Sequence, residues 1–190
     1  MLITLYGVNN IGKSTQAKKL VERLEKAGKK AKYIKYPVYE LEPTGVFLNK
    51  YLRGEIKDAI SEEELQMWFT LNRYQFEPTL KKLLAEGYIV VAEDYTGTGI
   101  AWGSAKGADM AWLEGMNKFL IREDLAILLE GERFTAAVEA GHIHETNPDF
   151  IEKSRASHAT LAEKYGWKRV RVVEGIDKTA DLIWGIVVAH

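Results

Sequence analysis

The chain contains no cysteine, which excludes disulfide staples and thiolate chemistry and suits a reducing compartment. Long apolar runs are missing too: the longest, Leu182 to Ala189, falls far short of the roughly 20 residues that a membrane span needs. No basic region followed by an apolar stretch opens the sequence, because Lys13 and Ser14 interrupt it almost at once, so no secretory leader is expected. Charge of one sign is not in excess either, with 26 basic against 27 acidic residues and a formal net charge of −1. That balance gives no global pull toward nucleic acid or an anionic membrane, so phosphate recognition has to be local. Internal repeats and low-complexity stretches are likewise absent. What remains is 190 residues, enough for one domain spanning 1–190 with a real hydrophobic core. A soluble, cytoplasmic protein is the expectation.

The first thing present is Gly7-Val8-Asn9-Asn10-Ile11-Gly12-Lys13-Ser14, followed by Thr15. It comes after the apolar run Leu2 to Tyr6 and before a stretch with helix-period apolar positions at Ala17, Leu20, Val21 and Leu24. Strand, G-x-x-x-x-G-K-S, helix is the context in which this motif binds a nucleotide. The two glycines permit a tight turn that aims backbone N–H groups at an anion. Lys13 supplies positive charge at the β- and γ-phosphates, Ser14 can hold Mg²⁺, and the helix N-terminus adds its partial positive charge. Residues 7 to 15 are therefore expected to bind a nucleoside triphosphate.

Along the chain, the pattern predicts a helix from Lys13 to about Ala27 and a second strand near Ala31 to Lys35, its neighbouring lysines being read as a solvated turn. Tyr36 to Gly45, with two prolines and a glycine, reads as a loop at a strand's carboxyl end, where ligands sit in open α/β sheets. A short helix follows over Val46 to Leu52. Ser61-Glu62-Glu63-Glu64 is a capping box for a long helix carrying Leu65, Phe69, Arg73 and Phe76, which Pro78 is expected to kink or break. Tyr88 to Ala92 is a strand buried on both faces that delivers the acids Glu93 and Asp94 at its end. The glycine-rich stretch Tyr95 to Asp109 reads as a loop, with Asp109 capping a helix over Met110 to Ile121. Leu125 to Leu129 and Arg169 to Val173 are the last strands, with helices over Phe134 to Ala140, Phe150 to Tyr165 and Thr179 to Ala189. Strands alternating with helices imply an α/β fold around a parallel sheet.

With these elements in place, the sequence resembles the thymidylate kinase family of P-loop nucleoside monophosphate kinases over nearly its whole length. Four features carry the likeness. They are Gly7 to Thr15, the Pro37 to Leu52 stretch with Pro-Thr-Gly and Tyr-Leu, Phe69-x-x-x-Arg73 on a long helix, and Glu93-Asp94-Tyr95 followed by Thr98-Gly99-x-Ala101-Trp102. The resemblance implies a three-layer P-loop kinase fold, a five-stranded parallel sheet in the order 2-3-1-4-5 with helices on both faces, and a lid segment at about 133–150. It implies ATP and Mg²⁺ as cofactors, with Ser14 and Glu93 toward the metal, and Lys13 and Glu93 in catalysis. Tyr39, Phe69, Arg73, Asp94, Thr98 and Trp102 fall on the substrate side, with Phe69 against the base and Arg73 hydrogen-bonding it. Residues i and i+4 do project together from a helix. The plainer alternative makes Phe69 core and Arg73 a surface ion-pair partner. The likeness also implies a homodimer through helices flanking Ser61 to Glu86.

The departures from the family's pattern concern positive charge. The family's Asp-Arg-Tyr reads Glu93-Asp94-Tyr95, its arginine after the second strand is replaced by a stretch holding Glu40 and Glu42, and neither the phosphate loop nor Gly141 to Asp149 contains an arginine. Phosphoryl transfer relies on positioned cations, so another group must stand in. Arg133, Arg53 and Lys106 are the candidates, Arg133 first because it directly precedes the lid. His142, His144 and Glu145 suggest a metal cluster at first sight, but no further histidine or cysteine completes a zinc set, and a polar lid is the reading.

The expected function is thus a nucleoside monophosphate kinase, with thymidine monophosphate converted to its diphosphate at the expense of ATP. The alternatives are a deoxynucleoside kinase, for which Glu40, Glu42 or Glu93 would be the base, and a catalytically weak nucleotide-binding protein. A guanine switch is disfavoured because Asn49-Lys50-Tyr51-Leu52 and Asn117-Lys118-Phe119-Leu120 both lack the acid of Asn-Lys-x-Asp.

Overall fold

A computed structural model describes residues 1–133 and 148–190. The chain runs β1 (Leu2–Tyr6), α1 (Lys13–Lys26), β2 (Ala31–Lys35), α2 (Thr44–Leu52), α3 (Glu62–Ala85), β3 (Ile89–Glu93), α4 (Thr96–Ala105), α5 (Met110–Asn117), β4 (Leu125–Glu130), α6 (Pro148–Tyr165), β5 (Lys168–Arg171) and α7 (Ile176–Val188). The five strands form one parallel sheet in the order β2-β3-β1-β4-β5, as the resemblance implies. The helix expected over Phe134 to Ala140, the histidines of the lid and most of the 133–150 segment lie outside the described residues.

Period-two alternation along each strand divides the core into two layers. Leu2, Tyr6, Val90, Ala92 and Leu128 face Leu80 of α3, Ala101 of α4, Leu113 of α5 and Leu161 of α6. Ile3, Leu5, Val91, Ile127 and Val170 face Ala17, Leu20 and Leu24 of α1 and Ile183 of α7. With helices on both faces the sheet is shielded from water, so the chain crosses from strand to ligand only at the strands' ends.

Two expectations about local structure need correction. Pro78 does not break α3, which continues for 24 residues from a Ser61 cap whose hydroxyl accepts from the Glu64 N–H at 3.1 Å. Arg73, Glu77 and Leu80 are buried on both sides of the proline, and Glu77 accepts from the Ile121 N–H at 2.7 Å. That anchoring outweighs the single hydrogen bond a proline forfeits.

The stretch after Tyr95 is a helix, α4, rather than a loop. Its glycines serve close approach. A Cβ on Gly97 would lie 2.7 Å from Trp167 Cζ2, and one on Gly99 would lie 2.9 Å from Arg73 Nη2. Packing against Tyr6 and Trp167, whose rings stack at 4.2 Å, overrides the weak helix propensity of glycine.

Gly97→Ala is expected to overpack that stack and cost about 1–3 kcal/mol, seen as a lower urea midpoint at unchanged m-value. A second expectation concerns His158 of α6, 1 % exposed, with Nδ1 2.8 Å from the Ser154 carbonyl. Burial pushes its pKa down to about 4. The unfolded chain takes up a proton near pH 6.5 that the folded one refuses until pH 4, so this contribution to stability is full above about pH 6.5 and falls by about 3 kcal/mol down to pH 4. Unfolding free energies of His158→Asn measured across that window should lack this part of the slope.

Candidate active site

The ends of β1, β2 and β3 open into a cavity of about 640 Å³. At its floor is the loop between β1 and α1. Gly7, Asn10 and Gly12 have φ of 139°, 61° and 95°, and a Cβ on Gly7 would lie 2.7 Å from the Leu129 carbonyl oxygen. Glycine at position 7 therefore answers both a backbone and a packing demand. Asn9 to Thr15 line the cavity, whereas Gly7 and Val8 line a smaller one behind the loop together with His158 and Arg155.

Lys13 is 5 % exposed. Its ammonium donates to the carbonyls of Gly7 at 2.8 Å and Val8 at 3.1 Å, and stands 3.6 Å from Asp94 Oδ1. The first helical residue of α1 is thus folded back over the loop it follows.

Glu93 ends β3, in register with Leu5 and Lys35 on the neighbouring strands. Its Oε1 accepts from Ser14 Oγ at 2.7 Å and faces Lys35 Nζ at 3.4 Å, and its Oε2 accepts from the Tyr33 hydroxyl. Burial pushes its pKa up, but Lys35, the Tyr33 hydroxyl, Lys13 and Ser14 together hold it below the usual carboxylate range. Asp94 behaves oppositely. Burial raises its pKa, Lys13 opposes this, and the neighbouring Glu93 adds to the rise. Its backbone sits in the left-handed region at φ 61°, and its Oδ1 accepts from Thr98 Oγ1 at 2.7 Å. Two adjacent acids are thus driven apart, one firmly ionised and one easier to protonate.

The far end of the cavity is aromatic and amide-rich. Phe69 is half-buried on the wall, outside both core layers, and Arg73 opens to the same space one turn later. Arg73 is 4 % exposed, which disposes of the surface ion-pair alternative. Its Nε donates to Asn117 Oδ1 and its Nη2 to Thr70 Oγ1, each at 3.0 Å. Burial against neutral partners lowers its pKa to about 10, so it stays charged at neutral pH. Tyr39, Thr98 and Trp102 also line the cavity, Trp102 packing 5.1 Å from the Phe150 ring.

Of the cations considered from sequence, Lys106 lines the cavity and is paired to Glu62 at 2.6 Å. Arg133 is not on the wall, but its Nε donates to the Asn9 carbonyl at 2.9 Å, which ties it to the phosphate loop. Arg53 is exposed at the end of α2, bonded to Asn49 of that helix, and is not among the residues that line the cavity. Glu40 and Glu42 do not line the cavity either, which leaves Glu93 as the sequence-nominated base that does.

Sequence reading missed Lys35, Tyr33 and Gln66. Tyr33 and Lys35 are two apart on β2, so both project toward the same face and meet Glu93. That signal was available, but lysines around a strand read as solvated. Gln66 is 2 % exposed on the cavity wall, and its Nε2 donates to Glu62 Oε1 at 2.8 Å. A carboxylate only accepts, which fixes the amide with Oε1 turned away, and that oxygen has no partner among the described residues.

Among the described residues no group of three or more His, Cys, Asp or Glu is placed to hold a metal, and no helix is long and apolar enough to cross a membrane. The hydroxyl of Ser14 beside the Glu93 carboxylate is nevertheless a hard oxygen pair of the kind that suits Mg²⁺, a cation that takes few protein ligands.

The chain that builds this cavity is similar to known proteins. The family model for thymidylate kinase matches residues 5–183. The human thymidylate kinase is 31 % identical over 181 residues, covering 93 % of this chain and 84 % of its own. The thymidylate kinase of Dictyostelium discoideum is 26 % identical over 189 residues, covering 98 % and 84 %. The solved structure of thymidylate kinase from Candida albicans superposes with a TM-score of 0.85 at 24 % identity, over 99 % of this chain and 91 % of that one. Sequence match along nearly the whole chain, with the same fold, places this chain in the thymidylate kinase family.

Proposed function

We propose that this chain transfers the γ-phosphoryl group of ATP to thymidine monophosphate, giving the diphosphate and ADP. The observation that carries the reading is that Lys13 and Ser14 at one end, and Phe69 and Arg73 at the other, open into one cavity. A triphosphate tail in the loop and a base against Phe69 would then point their phosphates at each other, near Glu93. The known kinases among its relatives are consistent with that pairing.

The chain's own part is positioning and charge. Lys13 leaves the Gly7 and Val8 carbonyls to meet the β- and γ-phosphates, and the N–H groups of the loop cradle them. Arg133, off the cavity wall but held on Asn9, is the cation that would move in to meet charge developing on the transferred group. Ser14 and Glu93 would hold Mg²⁺, which when bound neutralises charge on the β- and γ-oxygens. No base is required for the transfer, because a phosphate acceptor is already anionic. Phe69, Trp102 and Tyr39 exclude water from the nucleoside, and Arg73 with Gln66 meets its base.

One observation favours a hydroxyl acceptor as a second reading: Asp94, an acid in the cavity with a raised pKa, is suited to take a proton from an alcohol. A homodimer through helices flanking Ser61 to Glu86 and a cytoplasmic location complete the reading; on α3 itself Met67 and Leu71 are 49 % and 51 % exposed.

A coupled ADP-release assay with ATP and Mg²⁺ should show turnover of thymidine monophosphate and none of thymidine, the reverse supporting the second reading. Lys13→Met should abolish turnover. Arg133→Ala should lower kcat by about three decades, the scale of a removed arginine finger; turnover at the wild-type rate would remove Arg133 from the mechanism.

A further inference from the structure

The acceptor monophosphate brings about two negative charges to a place where Glu93 and Asp94 already stand. Among the described residues four cationic side chains line the cavity: Lys13, Lys35, Arg73 and Lys106. Lys13 belongs to the triphosphate loop. Arg73 is buried, with two of its donor atoms committed to Asn117 and Thr70 and its guanidinium packed on Gly99. Lys106, following the last turn of α4, is held by Glu62 at 2.6 Å and lies over the Phe150 ring. The sequence from Phe134 to Asn147 contains no lysine or arginine. Lys35 is therefore the cation left to consider.

Its placement suits the task. Lys35 is the last residue of β2, its side chain is 45 % exposed, and its ammonium is 3.4 Å from Glu93 Oε1. The same oxygen accepts from Ser14 at 2.7 Å, so Lys35 is one carboxylate oxygen away from the phosphate loop. A close charge-assisted bond is about 2.7–2.9 Å, and the longer contact to Glu93 is a loose one. The ammonium is a compact charge with three donors on a flexible stem, able to change partners without moving the strand.

We propose that Lys35 is the residue that binds the phosphate of the acceptor nucleotide. On binding, its ammonium moves from Glu93 Oε1 to a phosphate oxygen, exchanging one anionic partner for another. This rests on the reading of the site as one for a nucleoside monophosphate. A purely structural Lys35, present only to neutralise Glu93, would not distinguish a nucleotide from its nucleoside.

That difference is the test. Thymidine monophosphate and thymidine are titrated calorimetrically into the wild-type protein and into Lys35→Met, Lys35→Gln and Lys35→Arg, with circular dichroism to verify folding. Removing the charge should weaken the monophosphate about 10- to 100-fold and leave thymidine within about twofold, with Lys35→Arg restoring most of the loss. In turnover the KM for the monophosphate should rise while that for ATP holds. Equal loss for both ligands, or no loss for the monophosphate, overturns the proposal; Lys35→Gln gives the same comparison if Lys35→Met does not fold. Should the wild-type protein bind thymidine but not its monophosphate, the monophosphate reading itself falls and takes this role with it, an outcome visible before any variant is made.

Discussion

The carboxylate of Glu93 is the junction on which the site depends. It gathers Ser14 from the phosphate loop, Tyr33 and Lys35 from β2, and the field of Lys13, and it does so from the end of a strand shielded on both faces. A buried acid of this kind is tolerated because donors and cations, Ser14, Tyr33, Lys35 and Lys13, outweigh the one acidic neighbour, Asp94. The consequence is that the loop, the second strand and the third strand, already joined by the sheet's ladders and a shared apolar layer, are also tied together by charge at the sheet's edge. Asp94, one residue further, lacks that company and responds in the opposite sense, and its left-handed backbone is what turns it from the sheet toward Lys13.

Much of this was legible in the sequence. The spacing of Gly7, Gly12, Lys13 and Ser14 between an apolar run and a helical one marked the turn between β1 and α1 that borders the cavity, and alternation of strands and helices gave the parallel sheet. Phe69 and Arg73 could be paired by helical spacing alone. What escaped reading depends on tertiary partners. Gly97 and Gly99 look like loop residues until Trp167 and Arg73, far away in sequence, are seen to need the room. Pro78 looks like a helix breaker until Glu77 is seen to be bolted to Ile121. Lys35 looks like one more solvated lysine until Glu93 is placed beside it by strand register.

The two ends of the cavity are built by different physics. Around Lys13, Glu93 and Lys35, charges are many and mutually compensated, so an anion could enter there only by exchanging partners. Around Arg73, donors are buried among neutral groups and held by packing, so a ligand there would have to fit what is already in place. The first kind of site is adaptable in geometry but sensitive to the count of charges; the second is the reverse.

The start of α3 has reach beyond its own turn. Ser61 fastens the first turn, Glu62 on that turn grips both Lys106 and the amide of Gln66, and Gln66 stands in the cavity wall. The helix cap thereby acts as a clamp on the hydrogen-bonding polarity of the wall. Loosening it would let the amide turn over, so that the wall presented a donor where it now presents an acceptor, with no residue of the wall replaced.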